Sequence, residues 1–187
     1  MSFNAVQGQK NLTVVPAVDL QAYKGTWYEI ARKPFSFESK LKCNTANYSI
    51  RADGKIRVLN QGHLITNPSK IKTAKGVAFI PDRNVPAKLK VQFFWPFRGD
   101  YWIMELDKDY KYVLIGGPSL KYLWILARDK KLDKTILDQL LKKASDAGYD
   151  LTDLIMTPQD CTYNNVAGWR VSPPKLTRRW VAVFFLF

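Results

Sequence analysis

The stretch Gly25-Thr26-Trp27, which opens the apolar segment WYEIA at residues 27–31, decides the fold together with LWILAR at residues 123–128. A glycine two positions before a tryptophan is a weak signal by itself. The second segment, however, ends on Arg128, whose planar cation stacks well on aromatic faces. We therefore expect Arg128 to cover the Trp27 ring at the floor of a barrel. Gly25, Trp27 and Arg128 would then be a structural closure, and the function would lie inside the barrel.

Short apolar segments separated by turn-forming residues fill most of the chain, for example around Gly54, Pro68 and Gly117. Strands joined by short turns form an antiparallel meander. Eight of them are enough to close an up-and-down barrel that holds one small ligand. The sequence thus predicts an all-β protein, an eight-stranded antiparallel up-and-down β-barrel, with strands at 25–32, 44–51, 55–63, 70–80, 87–95, 100–107, 111–116 and 121–128.

One C-terminal helix is predicted at about 133–147, because apolar side chains recur there at helical spacing. Asp133 is suited to cap its start and Gly148 to end it. The opposite face is charged, so we expect this helix to pack against the outside of the barrel. A single helical turn, capped by Asp19, is predicted just before the first strand.

The length of 187 residues suits one domain. We assign residues 1–12 to a flexible N-terminal arm, 13–161 to the barrel domain and 162–187 to a basic and apolar C-terminal tail of unknown role. The tail carries four basic residues and no acid, and ends on eight apolar residues. Those eight are too few to span a bilayer, although they suit insertion at its surface. A non-native extension explains them equally well.

The formal net charge of +13 suits contact with anionic lipid head groups or other polyanions. A cationic surface with no specific partner is an equal alternative. Basic residues are scattered among acids, and no nucleic-acid-binding motif is present, so we predict no nucleic-acid partner.

The two cysteines, Cys43 and Cys161, lie 118 positions apart and form no C-x-x-C motif, which disfavours metal binding. They either form a disulfide in an oxidising compartment or remain free thiols inside the cell. Residues 1–10 lack the apolar segment of a signal peptide. Either a leader has been removed or the protein stays inside.

Three motifs in order carry a family resemblance: YKGTWYEIAR at 23–32, DYWIMELDKDY at 100–110 and YLWILAR at 122–128. With these, the chain resembles the lipocalins of the calycin group over residues 11–161. Within them it is similar to the branch of bacterial outer-membrane lipocalins (Blc type), plant temperature-induced lipocalins and apolipoprotein D. The resemblance implies the barrel fold and a hydrophobic ligand.

The resemblance also bears on the cysteines and on the compartment. Apolipoprotein D has cysteines at similar places that form a disulfide, so a Cys43–Cys161 bridge is implied. A periplasmic, outer-membrane-associated or secreted location follows from the same likeness. No cysteine near the N-terminus is placed to take a lipid anchor.

Alternating side chains of a strand face opposite sides, so the motifs set which residues point inward. A one-residue slip in any strand would invert that assignment. Glu29 and Glu105 are expected to point inward near the floor, and Tyr48, Asn60 or Tyr101 to meet a head group near the open rim. The predicted ligand-binding set, with Phe35 and Phe37 as a lid, is Tyr48, Val58, Asn60, Val91, Phe93, Tyr101, Ile103, Trp124, Leu126, Phe35 and Phe37.

The expected function is to bind and carry or store a fatty acid or lysophospholipid, in lipid transport or membrane maintenance. We predict no catalysis, no cofactor and no metal. His63 has no nucleophile or acid partner in a recognisable arrangement. One alternative is a lipocalin-fold enzyme acting on a lipid, for which Cys43 is the one thiol candidate. The other is a peripheral membrane-surface protein that acts through its basic face and tail.

Overall fold

Eight antiparallel strands form a closed barrel in the computed structural model, which describes residues 12–161. Each strand pairs with its neighbours in the chain, and β1 closes the barrel by pairing with both β2 and β8. This confirms the predicted fold. The strands are β1 (Gly25–Arg32), β2 (Leu41–Ile50), β3 (Ile56–Leu64), β4 (Asn67–Phe79), β5 (Lys88–Phe94), β6 (Phe97–Leu106), β7 (Tyr112–Gly116) and β8 (Trp124–Ala127), and a short β9 (Ile155–Met156) pairs with β1 outside the barrel.

Some strand ends differ from prediction. β2 begins three residues earlier, at Leu41, and β6 begins at Phe97 rather than at residue 100. β8 begins only at Trp124, because a turn occupies the residues before it. At the end where β1 finishes, β2 and β6 are therefore longer than predicted and β8 is shorter.

Alternating side chains divide the apolar residues into two clusters. Trp27, Val58 and Ile103 belong to the cluster inside the barrel. Met104 and Ile125, one position away from inward residues, belong to a cluster on the outer surface. The period of two along each strand therefore builds two cores from the same strands.

The outer cluster is covered by α2 (Lys134–Asp146), as predicted. The Asp133 carboxylate accepts hydrogen bonds from the backbone N–H groups of Thr135 and Ile136, which caps the helix start. Leu140 is buried against the barrel. The helix stops before Gly148, whose φ of 101° suits glycine.

The end of the barrel where β1 begins is closed. The short α1 (Leu20–Tyr23), capped by Asp19, crosses it. Gly25 then turns the chain into β1 with φ of 98°, and a side chain there would also crowd Arg128. Trp27 is fully buried above this turn, and the Arg128 guanidinium lies over its ring.

Glu105 does not point into the barrel, contrary to prediction. The pairing of β6 with β7 shifts by one residue between Ile103 and Glu105. This bulge reverses the alternation, so Glu105 points outward and pairs with Lys143 of α2. Ile103 keeps its place inside.

A disulfide joins Cys43 of β2 to Cys161, as implied by the family resemblance. Leu12, the last residue of the predicted arm, packs against the outer cluster. The rest of that arm and the 162–187 tail lie outside the described residues. Within residues 12–161, no helix is long and apolar enough to cross a membrane.

Candidate ligand cavity

The barrel contains a cavity that opens at the end opposite Trp27. Its upper part has a volume of about 370 Å³, and a narrower pocket of about 60 Å³ lies beneath it. The upper volume falls in the range of small-molecule sites, roughly 300–1,000 Å³. The two parts share a belt of lining residues: Glu38, Asn60, Val91, Phe93, Asp100 and Trp124.

Aromatic rings form the mouth. The loop after β1 carries Phe35, whose ring meets those of Tyr122 and Trp124 edge-on, with centroids 5.4 and 6.2 Å away. Tyr122 stacks on Trp124 at 6.0 Å. Phe37 lies beyond Phe35, with ring centroids 6.4 Å apart. A flat apolar group or an alkyl chain entering here meets ring faces and edges.

Three tyrosine hydroxyls form the bottom of the cavity. The Tyr101 hydroxyl is 2.7 Å from that of Tyr23 and 2.8 Å from that of Tyr48. Burial raises the pKa of all three phenols, so they stay protonated. These two contacts use two of the three O–H donors. Tyr48 and Tyr101 lie deep in the barrel, below the rim where a head-group contact is expected, and that contact stays a prediction.

An ionic cluster forms one wall, built from Glu29 and Arg32 of β1 and Glu38 of the 3-10 turn at Ser36–Glu38. All three are buried. The Arg32 Nη1 lies 3.4 Å from Glu29 Oε1, and its Nε lies 3.3 Å from Glu38 Oε2. Arg32 Nη2 donates to the Glu38 backbone carbonyl at 2.8 Å. One cation thus holds two carboxyl groups and the turn that carries the mouth aromatics.

Burial is the main reason why both carboxyl groups of this cluster hold protons more tightly than usual. It raises the pKa of Glu38 to about 7, and the neighbouring Glu29 charge adds to the rise, while Arg32 opposes it. The pKa of Glu29 is also raised by burial, against the opposing effect of Arg32 and of hydrogen bonds from Thr157 and Asn44. The Trp124 Nε1–H donates to Glu38 Oε2 at 3.3 Å.

Within residues 12–161, two buried amide oxygens of this region have no hydrogen-bond partner, Asn44 Oδ1 and Asn60 Oδ1, and the buried Arg32 Nε has none either. Both asparagines line the lower pocket. Asn44 is held in place because its Nδ2 donates to Glu29 Oε1 at 3.0 Å. Unpartnered buried acceptors are costly, so a donor from water or from a bound molecule would stabilise both.

Ile103 departs from the predicted ligand-binding set. It packs beneath the tyrosines, with Leu89 and Ile56, around a space of only about 10 Å³. The cavity is instead lined by the rest of that set: Phe35, Phe37, Tyr48, Val58, Asn60, Val91, Phe93, Tyr101, Trp124 and Leu126.

The sequence interpretation missed several lining residues. Glu38 follows two aromatics in a loop, a setting typical of solvent-facing acids, and the nearby Arg32 is the one signal that it has a buried partner. Phe94, Phe97 and Arg98 belong to the longer β5–β6 hairpin at the mouth. In the described part of the chain, no group of three potential metal ligands is placed to hold an ion.

A closed eight-stranded barrel with an apolar cavity open at one end and a helix outside is the architecture of the lipocalins. Residues 18–159 match the family model described as a lipocalin-like domain, and the chain belongs to the lipocalin family. That family binds small hydrophobic ligands.

Relatives come from plants, bacteria and animals. Temperature-induced lipocalin-1 of Arabidopsis thaliana is 39% identical over 163 residues, which cover 82% of this chain and 86% of the relative. The outer membrane lipoprotein Blc of Escherichia coli K12 is 38% identical, covering 80% and 84%. Apolipoprotein D of Macaca fascicularis is 33% identical, covering 84% and 89%. The solved structure of insecticyanin from Manduca sexta superposes with a TM-score of 0.62 at 25% identity, covering 79% and 84%.

Proposed function

We propose that this lipocalin binds and carries a single-chain lipid, a fatty acid or a lysophospholipid, in lipid transport or membrane maintenance. The observation that carries the proposal is the cavity of about 370 Å³ with an aromatic mouth. Val91 and Phe93 line its walls with apolar surface, and Leu126 lines the narrower pocket beneath it. Each methylene of an acyl chain that leaves water there contributes about 0.8 kcal/mol.

Native mass spectrometry tests this proposal. The purified protein is delipidated, exposed to a total lipid extract, passed through a desalting column and sprayed under native conditions. We expect a mass increase that corresponds to one fatty acid or lysophospholipid. An unchanged mass, together with no quenching of tryptophan fluorescence by any acyl ligand, would contradict it.

We further propose that the mouth contacts an anionic membrane surface. The β5–β6 hairpin exposes three aromatics at the mouth: Phe94 at 67%, Trp95 at 84% and Phe97 at 77%. Arg98 follows them directly and lines the same opening. Exposed aromatics beside a cation suit the head-group region of a bilayer, and contact there would let a lipid pass without crossing water.

Vesicle flotation tests the membrane contact. Wild-type protein is expected to float with phosphatidylglycerol-containing vesicles, and a Trp95→Ser/Phe97→Ser variant to remain in solution. Ile71→Ser is the matched control, because it removes an exposed apolar side chain from β4. Equal flotation of all three proteins would rule out membrane contact through the β5–β6 hairpin. Loss of flotation on deletion of 162–187 alone would assign the contact to the tail.

We place the protein in the periplasm, at the outer membrane or outside the cell. The Cys43–Cys161 disulfide supports an oxidising compartment, and Blc relatives are named as outer membrane lipoproteins. The disulfide also bears on the enzyme alternative, since the Cys43 sulfur is bonded and not a free thiol. Thiol titration of the denatured, unreduced protein should find no free thiol. One or two thiols would revive that alternative.

A further inference from the structure

The polar belt of the cavity presents hydrogen-bond acceptors where it meets the ligand. Glu38 and Asn60 line both the upper and the lower part of the cavity, so a ligand that occupies both passes them. Asn44 adds a third acceptor lower down. The amide oxygens of both asparagines are buried without partners.

The Glu38 carboxyl is fixed through one oxygen. Its Oε2 accepts a hydrogen bond from Trp124 Nε1 at 3.3 Å, and Arg32 Nε lies 3.3 Å from it as an ion-pair contact without a hydrogen bond. In residues 12–161, no hydrogen bond is made to Oε1. Glu38 is held in the cavity wall, because Arg32 also anchors its backbone carbonyl at 2.8 Å.

The charges around Glu38 disfavour a second anion. From β1, Arg32 is the one cation of the cluster, and it is shared between Glu38 and Glu29. From β6, Asp100 lines the same belt and is paired with Lys90 of β5 at 2.7 Å, and Tyr48 of β2 lies below it. Arg98, at the mouth, is placed over the Phe79 ring at 5.2 Å. Among the described residues that line the two parts of the cavity, Arg98 at the mouth is the one cation, so an ionised ligand carboxylate held at the belt would meet the like charge of Glu38 first.

We propose that Glu38, assisted by Asn60, is a specificity-determining residue that selects single-chain lipids whose polar end donates a hydrogen bond over ionised fatty acids. A hydroxyl has one donor, so that of a fatty alcohol donates to the open Glu38 oxygen or to the orphaned Asn60 oxygen, and the two hydroxyls of a monoacylglycerol donate to both. A carboxylate cannot donate and adds like charge to a buried site. This selection rests on the proposed lipid binding and adds the chemistry of the preferred head group.

Matched twelve-carbon ligands test the selection. Dodecanol and laurate are titrated against a neutral fluorescent probe, N-phenyl-1-naphthylamine, at about pH 8.5. Wild-type protein is expected to bind dodecanol about tenfold more tightly than laurate, a difference of about 1.4 kcal/mol. As the pH falls through about 7, Glu38 takes up a proton, and laurate binding should strengthen while dodecanol binding stays level.

Glu38→Gln removes the charge and keeps the shape, so the two affinities should converge to within about twofold at pH 8.5. Glu105→Gln is the matched control, because that carboxylate pairs with Lys143 outside the barrel. It should keep the wild-type ratio. Asn60→Leu leaves the ion cluster intact and should also reduce the ratio of dodecanol affinity to laurate affinity. It replaces Glu38→Gln as the test if that variant does not fold.

The possible failures are distinguishable. If both ligands bind wild type equally, or the ratio survives in Glu38→Gln and Asn60→Leu, the selection by Glu38 is wrong and lipid binding stands. If dodecanol, laurate and a lysophospholipid all fail to displace the probe, the proposed lipid binding is wrong, and the selection by Glu38 is wrong as well.

Discussion

The guanidinium carbon of Arg128 lies 3.9 Å from the centre of the Trp27 ring. The same side chain donates to the backbone carbonyls of Ala22, Lys24 and Thr26 at 2.8, 3.0 and 2.9 Å. It therefore ties β8 to the helical turn and to the start of β1. This pair holds the closed end of the barrel and does not touch the cavity.

Replacing Arg128 with alanine should lower the free energy of unfolding by about 2–4 kcal/mol, because it removes a stacked cation and several charge-assisted hydrogen bonds. Urea unfolding followed by tryptophan fluorescence measures this. Arg51→Ala is the control, since within residues 12–161 that guanidinium pairs with its neighbour Asp53 at the surface. Equal stabilities of the two variants would show that Arg128 does not close the barrel.

Removing the disulfide with Cys43→Ser/Cys161→Ser should cost about 4–5 kcal/mol. The bond closes a loop between residues 118 positions apart, and it stabilises mainly by restricting the unfolded chain. Chemical unfolding of the double variant beside oxidised wild type checks this. A loss below about 1 kcal/mol would mean that the unfolded chain gains little freedom when the bond is absent.

Stability should fall as the pH rises through about 7. Folding raises the pKa of the buried Glu38 carboxyl from its ordinary value of 4.5 to about 7. Such a group stabilises the fold fully below its unfolded pKa, and this contribution is lost as the pH rises through the folded value. The loss is about 3 kcal/mol between pH 4.5 and pH 8.5. Urea unfolding at about pH 5 and pH 8.5 measures it.

Glu38→Gln separates this contribution from that of Glu29, whose raised pKa acts in the same direction. The variant should lose less stability than wild type over the same pH interval. Glu105→Gln should follow the wild-type profile. An identical pH dependence in wild type and Glu38→Gln would show that Glu38 is not the titrating group.

The buried tyrosine cluster should ionise only when the barrel unfolds, because burial raises the pKa of Tyr23, Tyr48 and Tyr101. Absorbance at 295 nm should show a late phase that coincides with loss of far-ultraviolet circular dichroism. Tyr101→Phe removes the shared hydroxyl and should cost about 1–3 kcal/mol. Tyr122→Phe, at the exposed mouth, should cost almost nothing. Reversible ionisation of all phenols in the folded protein would contradict the burial.

The sequence was sufficient to predict the barrel, because Trp27 and Arg128 anchor a register that the turns then extend. Alternation placed Val58, Val91 and Phe93 in the cavity lining. It failed at Glu105, since a bulge is a feature of strand pairing and leaves no mark in the pattern of one strand.

The sequence alone also could not predict how deep a side chain lies in the barrel or which charged side chains pair. Alternation gives the face of a strand but not the height of a side chain in the barrel, so Tyr48 and Tyr101 were expected at the rim. Their hydroxyls meet Tyr23, which comes from a separate helical turn. Glu38 is buried because a loop folds back onto Arg32, a contact that no spacing rule predicts.

Filling the cavity is the most direct measurement of the central claim, that the barrel interior binds a single-chain lipid. Val91→Trp places an indole in the cavity, and Val77→Trp places the same residue on the outer face of the neighbouring β4. In a lysophospholipid titration, Val91→Trp should bind at least about tenfold more weakly than wild type, while Val77→Trp should bind equally. Undiminished binding by a folded Val91→Trp protein would contradict the claim.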